Sequence, residues 1–288
     1  TVPAIIGGNQ EERHGIVLAK SPLAKKYHIV TGEPIMNARK KCPDLLVIPP
    51  DFSIYVKASN AFMSILRSYT DSVEQYSIDE AYCNMTETVA SYTSPNVLAQ
   101  TISNRIHKEL GFTVNIGISN NKLLAKMASD FEKPNKIHTL FPNEIAAKMW
   151  PLPVEDLFFV GKATAKKLHN LGIHTIGDIA HTDSSILIAH LKSQGQLVYE
   201  FSHGIDNGRA TSKKTQTKGY GNSITTKEDI DDAHQASQIL LSLCETVATR
   251  LRMDEVKASC IAVNLVDCNF HKSQHQKQLQ SPTNVTAE

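Results

Sequence analysis

The apolar positions change period several times along the chain, and each change marks an element. Over the first fifty residues short apolar runs alternate with basic patches. AIIGG and GIVLA predict strands, PLAKKYHI and EPIMNARKK short helices, and LLVIPP a strand closed by two prolines. Ile54, Ala58, Ala61, Phe62, Ile65, Leu66 and Tyr69 then recur at helical spacing behind the capping residue Asp51. Two β-like runs, VEQYSI and AYCNM, follow with Asp79 and Glu80 between them. Val97, Leu98, Ile102, Ile106 and Leu110 predict an amphipathic helix over 94–110 that stops at Gly111. TVNIGIS reads as a strand, and NNKLLAKMASDF and FPNEIAAKMW as helices. A hairpin followed by helix, strand and helix predicts an antiparallel sheet backed by helices.

The pattern shifts at PLPVEDLFFVG, and short helices dominate from there to about residue 211. Residues 209–227 hold Arg209, Lys213, Lys214, Lys218 and Lys227 without a single acid, which reads as a linker. Beyond it come a strand in GYGNSITT, a long helix through LLSLCETVATRLRM and a strand in CIAVNLVDC. The polar tail, HKSQHQKQLQSPTNVTAE, is expected to fray. The fold class read from this order is α+β, in four modules: 1–51, 52–150, 151–211 and 212–288.

Composition narrows the picture. At 288 residues, 41% apolar and 20% charged, the chain exceeds one ordinary domain and can bury real cores. A formal charge of +1 gives no global sign of nucleic-acid binding, so any such surface is a local patch. No apolar run approaches a bilayer span, and TVPAIIGGNQEERHG does not read as a signal peptide. Five cysteines without a CxxC spacing suit a reduced cytoplasmic setting, with the thiols as small core residues. Twelve scattered histidines without HExxH argue against zinc.

The chemistry concentrates at Tyr76-Ser77-Ile78-Asp79-Glu80-Ala81-Tyr82. Adjacent carboxylates between β-forming runs are costly to bury unless paired or bound to a cation. At a hairpin top both can face one side, where hard oxygens suit Mg²⁺. The plain alternative is a solvated turn. On its own the pair leaves a nuclease, a cyclase and a polymerase equally open.

A longer comparison of motifs adds to this. YSIDEAYCNMT resembles the SIDEA(F/Y) signature of the Y-family translesion DNA polymerases, the UmuC/DinB-type or ImpB/MucB/SamB group. GISNNKLLAKMASDFEKPN is similar to that family's GIS-x-NK segment ending in KPN. LFFVGKATAKKLHNLGIHTIGDI resembles its helix-hairpin-helix, and GYGNSIT the opening strand of its C-terminal DNA-grip domain. The four blocks keep one order across nearly the whole chain. The resemblance implies small fingers (1–51), a palm with an antiparallel sheet (52–150), a helix-hairpin-helix thumb (151–211) and a partial little finger (212–288). It implies synthesis across damaged template from deoxynucleoside triphosphates with two Mg²⁺, within DNA repair or SOS-type responses. Primer–template DNA, dNTP and a sliding clamp are its implied partners, and a monomer its implied state.

By the same resemblance Asp79 and Glu80 are catalytic metal ligands, with the Ser77 hydroxyl on the same strand side as Asp79 and able to orient it. The family's third carboxylate lies on a D-x-(D/N)-x-F-(Y/F)-A-S-V-E strand. No such string occurs here, so the expectation is a chain that starts after it, binds the second ion poorly and polymerises little by itself. Lys133 matches the lysine that touches the incoming triphosphate; a plain reading makes it a helix-end lysine stopped by Pro134. Where the family places a tyrosine and an arginine three apart, this chain has Pro22 and Lys25, which leaves Lys25 as a phosphate contact without a bidentate fork. Gly161, Lys162 and Ala163 open a helix whose amides suit a DNA phosphate, with Phe159 replacing the first glycine of Gly-x-Gly. Its plain alternative is a packing unit with Gly161 as the turn. Tyr220 reads as a surface or packing aromatic. Pro22 and Lys25 keep a rival alive, a non-catalytic DNA-binding relative at damaged junctions. A nucleotide cyclase is more remote, since GG(D/E)EF is absent.

Overall fold

The computed structural model describes residues 2–8, 15–208, 210 and 217–287. The chain divides into two compact units, 1–51 with 215–288, and 52–214.

The first unit begins with β1 (Ala4–Gly7), β2 (Val17–Lys20), α1 (Pro22–Lys26), α2 (Ile35–Lys41) and β3 (Leu46–Ile48). β1 is central, antiparallel to β2 and parallel to β3. Ile5, Val17, Ala24, Ile29, Ile35, Ala38, Cys42 and Leu45 form its core. Pro22 starts α1 in the one turn that tolerates proline, and Ser21 caps it by accepting the Ala24 amide.

The second unit runs through α3 (Phe52–Arg67), β4 (Val73–Gln75), β5 (Ala81–Cys83), α4 (Pro95–Leu110), β6 (Ile116–Ile118), α5 (Lys122–Asp130) and β7 (Ile137–Thr139). It continues with α6 (Ile145–Lys148), α7 (Lys162–Asn170), α8 (Ile176–His181), α9 (Ser184–Leu191) and α10 (Ser193–Ser202). α4 ends where Gly111 turns left-handed at φ 75°, the conformation that favours glycine. One core joins Met63, Ile65, Leu66, Val73, Leu98, Ile102 and Ile106. A second holds Leu123, Leu124, Met127 and Ala128 of α5 together with Leu168, Ile176, Leu187 and Val198 of the helices that follow. The inner face of α5 is thereby fixed.

The first unit is completed by α11 (Ala233–Met253) and the hairpin β8 (Ala258–Val266) and β9 (Lys272–Thr283). The mixed α+β class holds, yet several expectations need correction. Among the described residues of the second unit only β4–β5 is an antiparallel strand pair. β6 and β7 are parallel, because the α5 crossover between them returns the chain in the same direction. The α3 stripe holds in part: Ile65 and Leu66 are buried and Phe62 and Tyr69 pack against the core, with Ser59 and Met63 buried beside them, while Ile54 is exposed, as is Val97 on α4.

GYGNSITT is not a strand. Two glycines within three residues weaken a ladder, and side chains hold the segment instead. The Tyr220 hydroxyl donates to Asp254 (2.6 Å), and Arg250 donates to the Gly221 carbonyl (3.3 Å). The tail is not frayed either, because most of it is β9. The Asp267 carboxylate accepts the Asn269 and His271 amides and fixes the turn, and the backbone ladder then pairs a strand whose side chains carry almost no apolar period. Of the five thiols, Cys42 is buried and Cys83 half-buried, but Cys244, Cys260 and Cys268 are exposed on solvated elements. The linker assigned to 209–227 lies partly outside the described residues.

Close approach governs one position. A methyl group on Gly117 of β6 would stand 1.8 Å from the Ala125 carbonyl oxygen and 2.6 Å from the Ser129 amide, so α5 lies directly on the strand. Gly117→Ala must push the helix off, at a cost of at least about 1–3 kcal/mol. Thermal melts should show a clearly lowered Tm; a Tm equal to the parent's would contradict this packing.

Candidate active site

β4 and β5 pair through Val73–Cys83, Glu74–Tyr82 and Gln75–Ala81, which leaves residues 76–80 as the hairpin loop. The loop closes on itself, the Tyr76 and Ser77 amides donating to the Glu80 carbonyl (3.0 and 3.2 Å). Ser77 orients Asp79 as expected, donating to Oδ1 at 2.7 Å, and its oxygen accepts the Asp79 amide at 3.3 Å. The cause differs from the one expected: both residues lie in a bend, and a local side-chain turn brings them together instead of strand alternation.

α5 supplies the opposing surface. Asn121 caps it by accepting the Leu124 amide (2.8 Å), and its apolar face is sunk in the core described above. Lys122, Lys126 and Asp130, four apart, share the other face. The Lys122 ammonium reaches both oxygens of Glu74 at 3.1 Å and lies 5.4 Å from the centre of the Tyr82 ring. Lys126 reaches Glu80 Oε1 at 2.5 Å and Asp130 Oδ2 at 3.2 Å. Lys133 reaches the other Asp130 oxygen at 2.7 Å. Four residues therefore alternate in sign, Glu80, Lys126, Asp130 and Lys133, from the acidic loop to the KPN segment. Lys126 is the most enclosed, with its side chain 17% exposed, against 41% for Glu80 and 60% for Lys133.

Charge states follow from this series. Burial weakens the charged form of Lys126, but the hydrogen bond to Glu80 and the pull of Asp130 outweigh it and raise its pKa. Burial likewise pushes Asp130 up, and Lys133 and Lys126 together bring it below the ordinary aspartate value. Burial, with the charges around it, raises the Tyr82 phenol far above its usual range, so it stays a neutral packing group.

Asp79 and Glu80 offer the hard oxygens that Mg²⁺ prefers, and an ammonium already stands against Glu80 as a cation would. Among the described residues no third His, Cys, Asp or Glu gathers with them. The donor set thus fits a divalent ion in chemistry and supplies part of its ligands.

The remaining expected residues lie elsewhere. Lys25 is exposed on α1 in the first unit. Gly161 is the N-cap of α7 and makes no side-chain cap hydrogen bond, and Gly161, Lys162 and Ala163 are exposed. Phe159 has φ 69°, a left-handed conformation in which a side chain costs about 1–2 kcal/mol. Its carbonyl accepts from Gln194 at 2.9 Å, and its ring packs against Phe158 and Phe201. Phe158 in turn meets Tyr76 of the acidic loop. Sequence reasoning passed over Glu74, Lys122, Lys126 and Asp130. The four-residue spacing on α5 was a visible sign for three of them.

Three sequence profiles cover the chain: the impB/mucB/samB family over residues 1–130, the IMS family HHH motif over 142–173, and the impB/mucB/samB family C-terminal domain over 217–288. DNA polymerase IV of Clostridium acetobutylicum is 47% identical across 99% of this chain and 72% of its own length. The chain belongs to the impB/mucB/samB family, the Y-family translesion DNA polymerases. A second member of this family, DNA polymerase IV of Acetivibrio thermocellus, is 35% identical over the same shares. Among solved structures, a Y-family DNA polymerase chimera of Dbh and Dpo4 matches with a TM-score of 0.84 at 22% identity, over 97% of this chain and 81% of that one. A Dbh ternary complex matches with a TM-score of 0.68. Those two likenesses speak to the fold. No helix among the described residues is long and apolar enough to cross a membrane.

The depressed Asp130 carboxyl sets a pH dependence. A lowered folded-state pKa contributes stability that is complete above the ordinary aspartate value of 3.8 and is lost as pH falls through the lower folded value. Melting temperature measured against pH should therefore fall less steeply below pH ~4 in Asp130→Asn than in the parent. Parallel curves would remove Asp130 from the account.

Proposed function

We propose that the Asp79–Glu80 loop is the metal-binding catalytic centre of template-directed DNA synthesis across damaged template. The observation that carries this reading is the placement of two adjacent carboxylates on an open hairpin loop against the lysine face of α5, in a chain of this family. DNA-directed DNA polymerisation of the translesion class is the activity of that family.

Two Mg²⁺ ions, when bound, neutralise the triphosphate and acidify the primer 3′-hydroxyl. Asp79 and Glu80 would supply part of the oxygen set that holds them, and Ser77 fixes the Asp79 carboxylate. Lys133 gives its charge to the incoming triphosphate, exchanging Asp130 for phosphate oxygen. Lys25 adds a point charge for phosphate where a fork is missing. The amides at Gly161, Lys162 and Ala163 take a DNA backbone phosphate, which fixes register and carries no base preference. The modules serve as fingers (1–51), palm (52–150), thumb (151–211) and little finger (212–288). Primer–template DNA and dNTP are the substrates, a sliding clamp is a partner, and the protein works as a cytoplasmic monomer. Pro22, which favoured a non-catalytic binder, has a sufficient structural role as the first residue of α1.

Asp79→Ala should lower Mg²⁺-dependent primer extension at least about a hundredfold, several kcal/mol of lost charge stabilisation. Extension at the parent rate would reject the centre. Lys162→Gln should weaken primer–template binding equally on unrelated sequences and reduce the slope of log affinity against log salt by about one. An unchanged slope would remove the Lys162 ammonium from the phosphate contact.

A further inference from the structure

We propose that Lys126 is a resident counter-ion for Glu80 that an arriving divalent metal displaces onto Asp130, so that α5 tunes how tightly the acidic loop holds metal. The inference rests on Asp79 and Glu80 being the metal centre and goes beyond it by assigning a role to a residue outside the motif. Three observations support it. The ammonium is already shared, 2.5 Å from Glu80 and 3.2 Å from Asp130. It is the least exposed member of the series, so it cannot simply leave for bulk water. Asp130 lies one helical turn along α5, and a small rotation of the lysine stem completes the transfer.

Charge gives the transfer its direction. A doubly charged ion on Glu80 would face an ammonium at hydrogen-bond distance, and their repulsion is large in a half-enclosed site. Asp130 can accept the whole of Lys126 when Lys133, its other partner at 2.7 Å, turns to a triphosphate. Metal binding and nucleotide binding then favour one another through a single carboxylate. Neither ligand needs to touch the other for this coupling.

Mn²⁺ titration followed by electron paramagnetic resonance, on folded protein without DNA, tests this. Lys126→Met should bind Mn²⁺ about two- to fivefold more tightly, the gain expected on removing a partly exposed ion-pair competitor. Lys126→Arg should match the parent. Asp130→Asn should bind about two- to fivefold more weakly, because Lys126 then stays on Glu80. In the double variant Lys126→Met/Asp130→Asn the Asp130 effect should vanish. Circular dichroism confirms that each variant is folded; should Lys126→Met not fold, Lys126→Gln takes its place. Equal or weaker binding without Lys126, or an Asp130→Asn loss that persists in its absence, overturns the proposal. Glu80→Gln separates the two levels: Mn²⁺ binding indifferent to it rejects the metal centre and the inference with it.

Discussion

The close seat of α5 on β6 is the constraint on which the site depends. With no side chain at Gly117, the helix backbone lies directly on the strand. Its apolar face enters the core shared with the following helices. That leaves Lys122, Lys126 and Asp130 facing the hairpin, and the two pairs Lys122–Glu74 and Lys126–Glu80 tie helix and hairpin together. Partly exposed ion pairs contribute little to stability singly. Their value here is positional: they hold acidic groups beside cations at a fixed separation, which is the environment proposed above for a divalent ion and a triphosphate.

Much of this was legible in the chain because local signals agreed. The two β-runs around Asp79 and Glu80 became β4 and β5 because β-forming residues flank a turn sequence on both sides. The helix over 122–130 follows from Asn121 as a cap and from Leu123, Leu124, Met127 and Ala128 at helical spacing. What was not legible depends on tertiary pairing. A direction of strand pairing is set by what intervenes, and the α5 crossover made β6 and β7 parallel. The polar tail became β9 because a backbone ladder needs no apolar alternation when both faces are solvated. At the site, Asp79 and Glu80 stand out by their place between two β-runs, whereas Lys126 gains meaning only once a helix is laid beside the loop.

The α7 end carries a different compromise. Phe159 holds a left-handed backbone that a glycine would adopt freely, and the cost is offset by its contacts with Phe158 and Phe201 and by Gln194 at its carbonyl. Through Phe158 and Tyr76 the same aromatic run reaches the acidic loop. A substitution that departs from the family pattern is thus accommodated by packing, and the start of α7 stays without a side-chain cap.

The central claim is that the neighbouring oxygens of Asp79 and Glu80 hold a divalent cation and that Lys126 yields its place to it. A crystal structure with Mn²⁺ and anomalous scattering addresses both parts at once. The account predicts a manganese peak within ligand distance of both carboxylates, with the Lys126 ammonium withdrawn from Glu80 and resting on Asp130. A peak elsewhere, with the Glu80–Lys126 pair intact at its present separation, would contradict it.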